Sequence, residues 1–139
     1  MHTITYVSAA IKPFTEQELL ELLHKSRDNN ARFGITGMLL YKSGSFMQAI
    51  EGPKESITQL YSNICADKTH RDIFTLVDEA IEERSFSQWH MGFAHLGNKD
   101  LLDVPGFYDI FKWSVNMDML PIKEGVAKTL LLSFRQAVR

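Results

Sequence analysis

One polar side chain, that of Gln48, occupies a strand position where the surrounding pattern calls for an apolar residue. In the stretch S-G-S-F-M-Q-A-I-E-G-P, residues 43–53, Gln48 would share one face of a strand with Phe46 and Ile50. Tyr6 lies on the corresponding face of a strand near the N-terminus. A buried amide without partners costs roughly 2–7 kcal/mol, so Gln48 needs a polar neighbour inside the protein or at its solvent edge.

Further hydrogen-bonding side chains are predicted to converge on the same region. Asn29 and Asn30 follow the apolar stripe of a helix, and Trp89 and Met91 alternate onto one face of a later strand. Together these groups predict a flat apolar slot with a few polar groups along its edge. Such a slot suits a planar heteroaromatic ligand. Each residue also has an ordinary structural interpretation, as a core tyrosine, an edge glutamine or a helix-capping asparagine.

Composition narrows the class of protein. A chain of 139 residues with 45% apolar and 23% charged residues is typical of one soluble globular domain. The net charge of −2, without a basic stripe, argues against nucleic acid as the main partner. No apolar run approaches the roughly 20 residues that span a bilayer, and no signal peptide is evident. The single cysteine, Cys65, permits no internal disulfide, so we expect a cytoplasmic location.

The elements that must position the polar residues follow the order β-α-β-β-α-β. Residues 2–8 alternate as a strand, and a capping box of Thr15 and Glu18 begins a helix that runs out around Asn29 and Asn30. The remaining segments are then a hairpin of strands 34–41 and 46–51, a second helix with Pro53 in its first position, and strands 73–80 and 89–96.

This order predicts an α+β, ferredoxin-like fold with a mixed sheet, two helices on one face and a fifth strand. The other face of the sheet presents an apolar patch, formed by Met38, Leu40, Met47 and Ala49. Such a patch must be covered. We therefore expect residues 1–97 to form the core and residues 98–139 to form C-terminal helices that cover the patch or pair with another subunit.

An enzymatic function is the main alternative to the binding of a planar ligand. A small ferredoxin-like hydrolase would need an arginine in a phosphate-cradling loop, and the loop of residues 9–13 has no glycine-rich cradle. The five histidines show no metal-binding spacing, so no metal is predicted. Cys65 has no evident activating base. A pure interaction or ligand-binding module is a third alternative.

One family resemblance bears on these alternatives. The stretch RDNNARFGITGMLLYKSGSFMQAIEGP, with ITYVS before it and FSQWHMGF after it, resembles the BLUF family of blue-light sensors that use flavin. The resemblance covers roughly residues 2–96 in order. It implies a flavin held non-covalently between the two helices, with FAD as the first candidate and FMN and riboflavin as alternatives. The tail resembles that of short members with no attached enzyme, which implies a photosensor rather than an enzyme.

The resemblance also implies roles for particular residues. Tyr6 matches the family's redox-active tyrosine, Gln48 its switching glutamine, and Asn30 the residue that binds the carbonyl and imide edge of the flavin. Trp89 and Met91 match a pair on strand five near the glutamine. The positions that the resemblance assigns to the ring and the ribityl chain are Ser26, Asn29, Leu39, Ile64, Asp67 and His70.

Two positions depart from the family pattern. Family members often carry arginines near the ribityl phosphate, where this chain has Asn63 and Thr69. Lys68 or Arg71 could substitute for them, and the identity of the flavin stays open. The resemblance implies that light drives electron and proton transfer from Tyr6 through Gln48, and that the signal passes through strand five and the C-terminal helices to an unidentified protein partner. The apolar tail predicts a homo-oligomer.

Overall fold

Seven elements make up the described part of the chain. The computed structural model describes residues 1–42, 44–86 and 92–95. In chain order the elements are β1 (His2–Ala10), α1 (Glu16–Phe33), β2 (Thr36–Lys42), β3 (Ser45–Gly52), α2 (Lys54–Ala66), β4 (His70–Ala80) and β5 (Gly92–His95).

The strands form one five-stranded sheet in the order β4-β1-β3-β2-β5. β1 pairs antiparallel with both β3 and β4, β2 and β3 form an antiparallel hairpin, and β5 adds to β2 in parallel. The predicted ferredoxin-like fold with a mixed sheet is therefore confirmed. Its register places Tyr6 of β1 directly opposite Gln48 of β3.

The start of α1 follows the prediction, whereas its end does not. Thr15 accepts a hydrogen bond from the backbone of Glu18, and the Glu18 carboxylate accepts one from the backbone of Thr15, which completes the capping box. The helix does not end near Asn30 but continues to Phe33. It ends there because Gly34 adopts a left-handed conformation (φ 70°) and its N–H binds the Asn30 carbonyl. The asparagines therefore lie in the last turns of the helix rather than capping it.

Two other boundaries differ from the sequence-based expectation. Pro53 is the N-cap of α2 rather than its first helical residue. β4 begins at His70, three residues before the predicted start at Ile73. Of the predicted fifth strand, the described residues 92–95 form β5.

The core lies between the sheet and the two helices. It combines residues from both layers: Ile4, Leu19, Leu23, Ile35, Leu39, Tyr41, Phe46, Ile50 and Ile57. Each of these side chains is no more than 5% exposed. Since Tyr6 and Gln48 share strand faces with Ile4 and Ile50, this packing places both polar groups on the helix side of the sheet.

The centre of the opposite face of the sheet is also buried. The four residues of the predicted apolar patch are at most 3% exposed: Met38, Leu40, Met47 and Ala49. The predicted C-terminal helices, and the predicted boundary after residue 97, lie outside the described residues.

Candidate functional site

The partner of Gln48 is the phenol of Tyr6. The two residues face each other across β1 and β3, and their side chains are 4% (Tyr6) and 7% (Gln48) exposed. The Tyr6 hydroxyl donates a hydrogen bond to Oε1 of Gln48. The phenol opposite Gln48 in the register thus satisfies the oxygen of an amide that is placed among apolar neighbours.

The surroundings keep Tyr6 neutral. Burial raises the pKa of the Tyr6 phenol far above its usual value, and the nearby Tyr61, Cys65 and Asp67 raise it further. The Tyr61 ring packs against it with centroids 5.6 Å apart, and the His70 ring lies 6.4 Å away. At neutral pH Tyr6 is therefore a protonated donor, which is the state its hydrogen bond to Gln48 requires.

A cavity of about 470 Å³ opens beside this pair, lined by residues of α1, α2 and the inner face of the sheet. Its volume is within the usual range for small-molecule and cofactor sites, roughly 300–1,000 Å³. Nine of the residues predicted to form the site line this cavity: Tyr6, Ser26, Asn29, Asn30, Leu39, Gln48, Ile64, Asp67 and His70.

Aromatic packing shapes one wall of the cavity. Phe14 and Phe46 both line it, and their rings meet edge-to-face with centroids 5.1 Å apart. Tyr41 stacks on Phe46 at 4.7 Å and accepts a 2.9 Å hydrogen bond from the Phe14 backbone N–H. This arrangement fixes the loop before α1 against the sheet, so the wall is rigid.

The end of α2 supplies an anionic group to the cavity. Oδ1 of Asp67 accepts hydrogen bonds of 2.8 Å from both the backbone N–H and the hydroxyl of Thr69. Although partial burial raises the pKa of Asp67, these hydrogen bonds and the charges of His70 and Lys25 outweigh burial and lower it. The carboxylate is therefore ionised at neutral pH and acts only as an acceptor.

His70 is held from both ring nitrogens. Nε2 lies 2.7 Å from the Ile64 carbonyl oxygen, and Nδ1 lies 2.9 Å from Oγ of Ser8. A carbonyl oxygen can only accept, so Nε2 carries the hydrogen, and in the neutral ring Nδ1 accepts from Ser8. These bonds tie the imidazole to the end of α2 and to β1.

Two described residues from the sequence analysis do not line the cavity. Lys68 is not among the lining residues, and neither is Arg71, although Asn63 and Thr69 are. Trp89 and Met91 lie outside the described residues. The predicted positions of Trp89 and Met91 near Gln48 therefore stay predictions.

Sequence reasoning missed three charged residues that line the cavity, namely Lys25, Asp28 and Arg32. A signal for two of them was present in the sequence. Lys25 and Arg32 lie four residues before and three residues after Asn29, which places all three on one face of α1. The helix that was predicted to end at the asparagines hid this spacing for Arg32.

Two searches bear on other classes of protein. Among the described residues, no group of three or more His, Cys, Asp or Glu side chains is arranged to hold a metal ion. No helix in the described part of the chain combines the length and the apolar character that crossing a membrane requires.

Comparison with curated proteins finds photoactivated cyclases. Subunit beta of the photoactivated adenylate cyclase of Euglena longa is 38% identical over 88 residues, which is 63% of this chain and 10% of that protein. Subunit alpha from Euglena gracilis is 38% identical over 84 residues, 60% of this chain and 8% of that protein. This chain thus matches about a tenth of the length of these relatives.

Solved structures match over nearly the whole chain. The dark-state structure of BlrB, a BLUF protein, is 28% identical with a TM-score of 0.68, and the match covers 98% of this chain and 94% of BlrB. The structure of Klebsiella pneumoniae BlrP1 with FMN and cyclic diGMP is 27% identical with a TM-score of 0.71, covering 97% of this chain and 34% of BlrP1. The profile of the BLUF family, "Sensors of blue-light using FAD", matches residues 1–92. The chain that places Tyr6 against Gln48 beside a cavity between two helices is a member of the BLUF family.

Proposed function

We propose that this protein is a blue-light receptor that binds a flavin non-covalently in the cavity between α1 and α2. Its signal is a rearrangement of hydrogen bonds around Gln48. The observation that carries this proposal is the buried hydrogen bond from the Tyr6 hydroxyl to Oε1 of Gln48, formed by two residues that both line the cavity.

The cavity suits the ring of a flavin. Leu39 and Ile64 supply apolar surface, while Asn30 and Gln48 supply amides. Asn30 is only 1% exposed. An amide donates through nitrogen and accepts through oxygen, which matches a ring edge that carries carbonyl and imide N–H groups side by side. We infer that these two amides hold the polar edge of the ring.

The rest of the cavity suits the flavin side chain. The Asp67 carboxylate and the Ser26 hydroxyl line the cavity and can bind ribityl hydroxyls. Lys25 and Arg32, also in the lining, supply positive charge that a flavin phosphate requires. They stand in for the arginines that Asn63 and Thr69 replace, and they favour a phosphorylated flavin, FAD or FMN, over riboflavin.

The photochemistry would begin at Tyr6. When bound, the flavin supplies blue-light absorption and, in its excited state, the power to remove one electron from a nearby phenol. A phenol that has lost an electron is strongly acidic, so the proton on Oη of Tyr6 would move along the existing hydrogen bond to Oε1 of Gln48. Burial of both side chains keeps water from intercepting that proton.

The lasting change would be made by Gln48. Once Tyr6 has recovered its electron and proton, the amide would be left rotated or in its imidic tautomer. Either form presents a different donor and acceptor pattern to the ring edge. A stronger hydrogen bond to the flavin carbonyl lowers the energy of the absorption band, which predicts a small, reversible red shift.

The output would be a changed protein surface rather than a chemical product. We propose that the changed hydrogen bonds alter the position of β5 and are read by a protein partner or by a second copy of this chain. Measuring the solution mass in the dark and under blue light tests the second possibility. A light-dependent change in mass indicates self-association as part of the output.

The test of the proposal compares three variants of the protein with the wild type. Wild-type protein is expected to be yellow and to shift reversibly to the red under blue light. Tyr6→Phe and Gln48→Leu are expected to bind flavin and lose that shift. Tyr61→Phe is the matched control, because Tyr61 packs against Tyr6 but does not line the cavity. It is expected to keep the shift.

Two results would contradict the proposal. A Gln48→Leu variant that retains the normal red shift would remove Gln48 from the mechanism. Wild-type protein that binds flavin without any spectral response to blue light would point instead to a flavin-binding module without photochemistry.

A further inference from the structure

Glu51, at the end of β3, is a buried carboxylate that the cavity does not use. Its side chain is 1% exposed, and strand alternation places it on the sheet face opposite Gln48. Oε1 accepts hydrogen bonds from the Thr36 hydroxyl at 2.9 Å and from the Phe86 backbone N–H at 2.6 Å. Oε2 accepts from the Ser85 backbone N–H at 2.8 Å. Three donors from two distant segments therefore converge on one carboxylate.

Arg84 binds the same corner of the sheet. Its Nη2 donates to the Gly34 carbonyl at 2.7 Å, and its Nη1 donates to the Thr36 hydroxyl oxygen at 2.9 Å. Thr36 thus accepts from Arg84 while it donates to Glu51. The backbone is also tightly packed here, since a Cβ on Gly52 would lie 2.8 Å from the Gly34 oxygen. These hydrogen bonds therefore hold residues 84–86 against the end of β3 and the start of β2.

The sheet topology explains where the contacts of residues 84–86 lie between β4 and β5. β4 and β5 lie at opposite edges of the sheet, so the chain between them must traverse its width. That distance is roughly 19 Å, from the usual spacing of about 4.8 Å between neighbouring strands. Residues 84–86 are held partway along this crossover, six residues before β5 begins. The contacts of Glu51 therefore set where the chain enters β5.

We propose that Glu51 is a positioning residue that couples β3 to β5, an inference that rests on the proposed photoreceptor function. Gln48 and Glu51 lie three residues apart on one strand, one facing the cavity and the other facing the crossover. A shift of the β3 backbone at Gln48 moves the carboxylate that holds Ser85 and Phe86. The crossover then carries the shift to β5, on the far side of β2.

The test uses Glu51→Gln, which keeps the shape of the side chain but replaces one acceptor oxygen with a donor NH₂ group. The new NH₂ group then faces one of the hydrogen-bond donors from which the carboxylate accepted. In the dark, amide exchange at Ser85 and Phe86 is expected to accelerate about tenfold or more, as expected for loss of a charge-assisted hydrogen bond. The light-induced change in exchange at residues 92–95 is expected to fall about twofold or more.

The red shift separates this role from the photochemistry. Glu51 does not line the cavity, so Glu51→Gln is expected to keep the full red shift while β5 loses its response. Two control variants are expected to behave as wild type in all three measurements. Glu79→Gln removes the same charge from an exposed position on β4. Thr5→Val changes a buried polar residue whose hydroxyl has no hydrogen-bond partner among the described residues.

The possible outcomes are distinct. If wild-type protein shows no red shift, the proposed function fails, and the inference fails with it. If Glu51→Gln shows the red shift with a wild-type response at residues 92–95, only the inference fails. Loss of the red shift in a flavin-loaded Glu51→Gln protein would also overturn the inference, because Glu51 would then act on the cavity itself.

A second variant and a wild-type measurement cover the case in which Glu51→Gln does not fold. Thr36→Val removes one of the three donors to Glu51 and is expected to reduce the β5 response in the same direction. In wild-type protein, the Ser85 and Phe86 amides should exchange at least about tenfold more slowly than the amide of exposed Glu82 in the same crossover. Equal exchange rates would overturn the inference without any substitution.

Discussion

Gln48 and Glu51 are buried polar residues on one strand, and their surroundings are opposite in kind. Gln48 faces a cavity, and a neutral phenol from the neighbouring strand donates to its oxygen. Glu51 faces the other side of the sheet and receives two backbone N–H groups and a hydroxyl. A single strand thus carries one polar group beside a ligand-sized space and another enclosed by protein donors.

The difference shows how one strand can serve both switching and anchoring. An amide has a donor end and an acceptor end, so rotation gives it a second arrangement of similar energy. A carboxylate that faces only donors has no equivalent second arrangement, and backbone N–H groups cannot turn away. Gln48 is therefore suited to change, and Glu51 is suited to transmit that change without itself rearranging.

The largest expected effect is on the free energy of unfolding, when Glu51 and Gln48 are each replaced by leucine. Glu51→Leu leaves two backbone N–H groups and the Thr36 hydroxyl without an acceptor, which should lower the free energy of unfolding by about 3 kcal/mol or more. Gln48→Leu removes the acceptor of the Tyr6 hydroxyl and adds apolar burial, so it should cost about 1 kcal/mol. Urea unfolding of flavin-free protein measures both. Equal losses would show that the two sites are not opposite in kind.

An intermediate effect on stability is expected at high pH, and it arises from Tyr6, the partner of Gln48. Burial raises the pKa of Tyr6 in the folded protein above its ordinary value of 10.0. In the unfolded chain this phenol ionises near pH 10, so stability falls as the pH rises further. At pH 11 the wild type should lose about 1.4 kcal/mol more than Tyr6→Phe, relative to pH 8.

Urea unfolding at several pH values measures this difference, and titration of the other tyrosines and the lysines cancels between the two proteins. Identical pH profiles would mean that the phenol opposite Gln48 is accessible to water, and the distinction between the two sites would be lost.

The smallest effect is expected from a third buried polar residue, Thr5, which lies on the same sheet face as Glu51. It is fully buried, and its hydroxyl has no hydrogen-bond partner in the structure as described. Thr5→Val should therefore stabilise the protein by about 1 kcal/mol. Thr36→Val is the matched contrast, because the Thr36 hydroxyl both donates and accepts, and its loss should destabilise. A destabilised Thr5→Val protein would contradict this assignment.

Local patterns were sufficient to predict the fold and the central pair of the site. The capping box of Thr15 and Glu18 was readable because all its partners lie within four residues. Gln48 was identifiable because it interrupts an apolar strand face, and the predicted strands placed Tyr6 on the same inner face of the sheet. The family resemblance then indicated which ligand such a pair would serve.

Features that depend on distant backbone groups could not be predicted. Glu51 resembles an ordinary glutamate at the end of a strand, and its partners at Ser85 and Phe86 are backbone N–H groups, which leave no signal in the sequence.

The end of α1 was misplaced because Asn30 favours helix ends, whereas the left-handed Gly34 terminates the helix. Arg32, one of the charged residues along the cavity, was overlooked for the same reason.

The strand order makes the two margins of the sheet mechanically unequal. At one margin, β4 pairs with β1 along much of its eleven residues. At the other, the described part of β5 has four residues and, within the described part of the chain, pairs only with β2. A force applied at the middle strand would displace the shorter margin first, because fewer backbone hydrogen bonds resist it there. In the proposed photoreceptor, small movements at the centre of this sheet would therefore emerge on the side of β5, where the chain continues beyond His95.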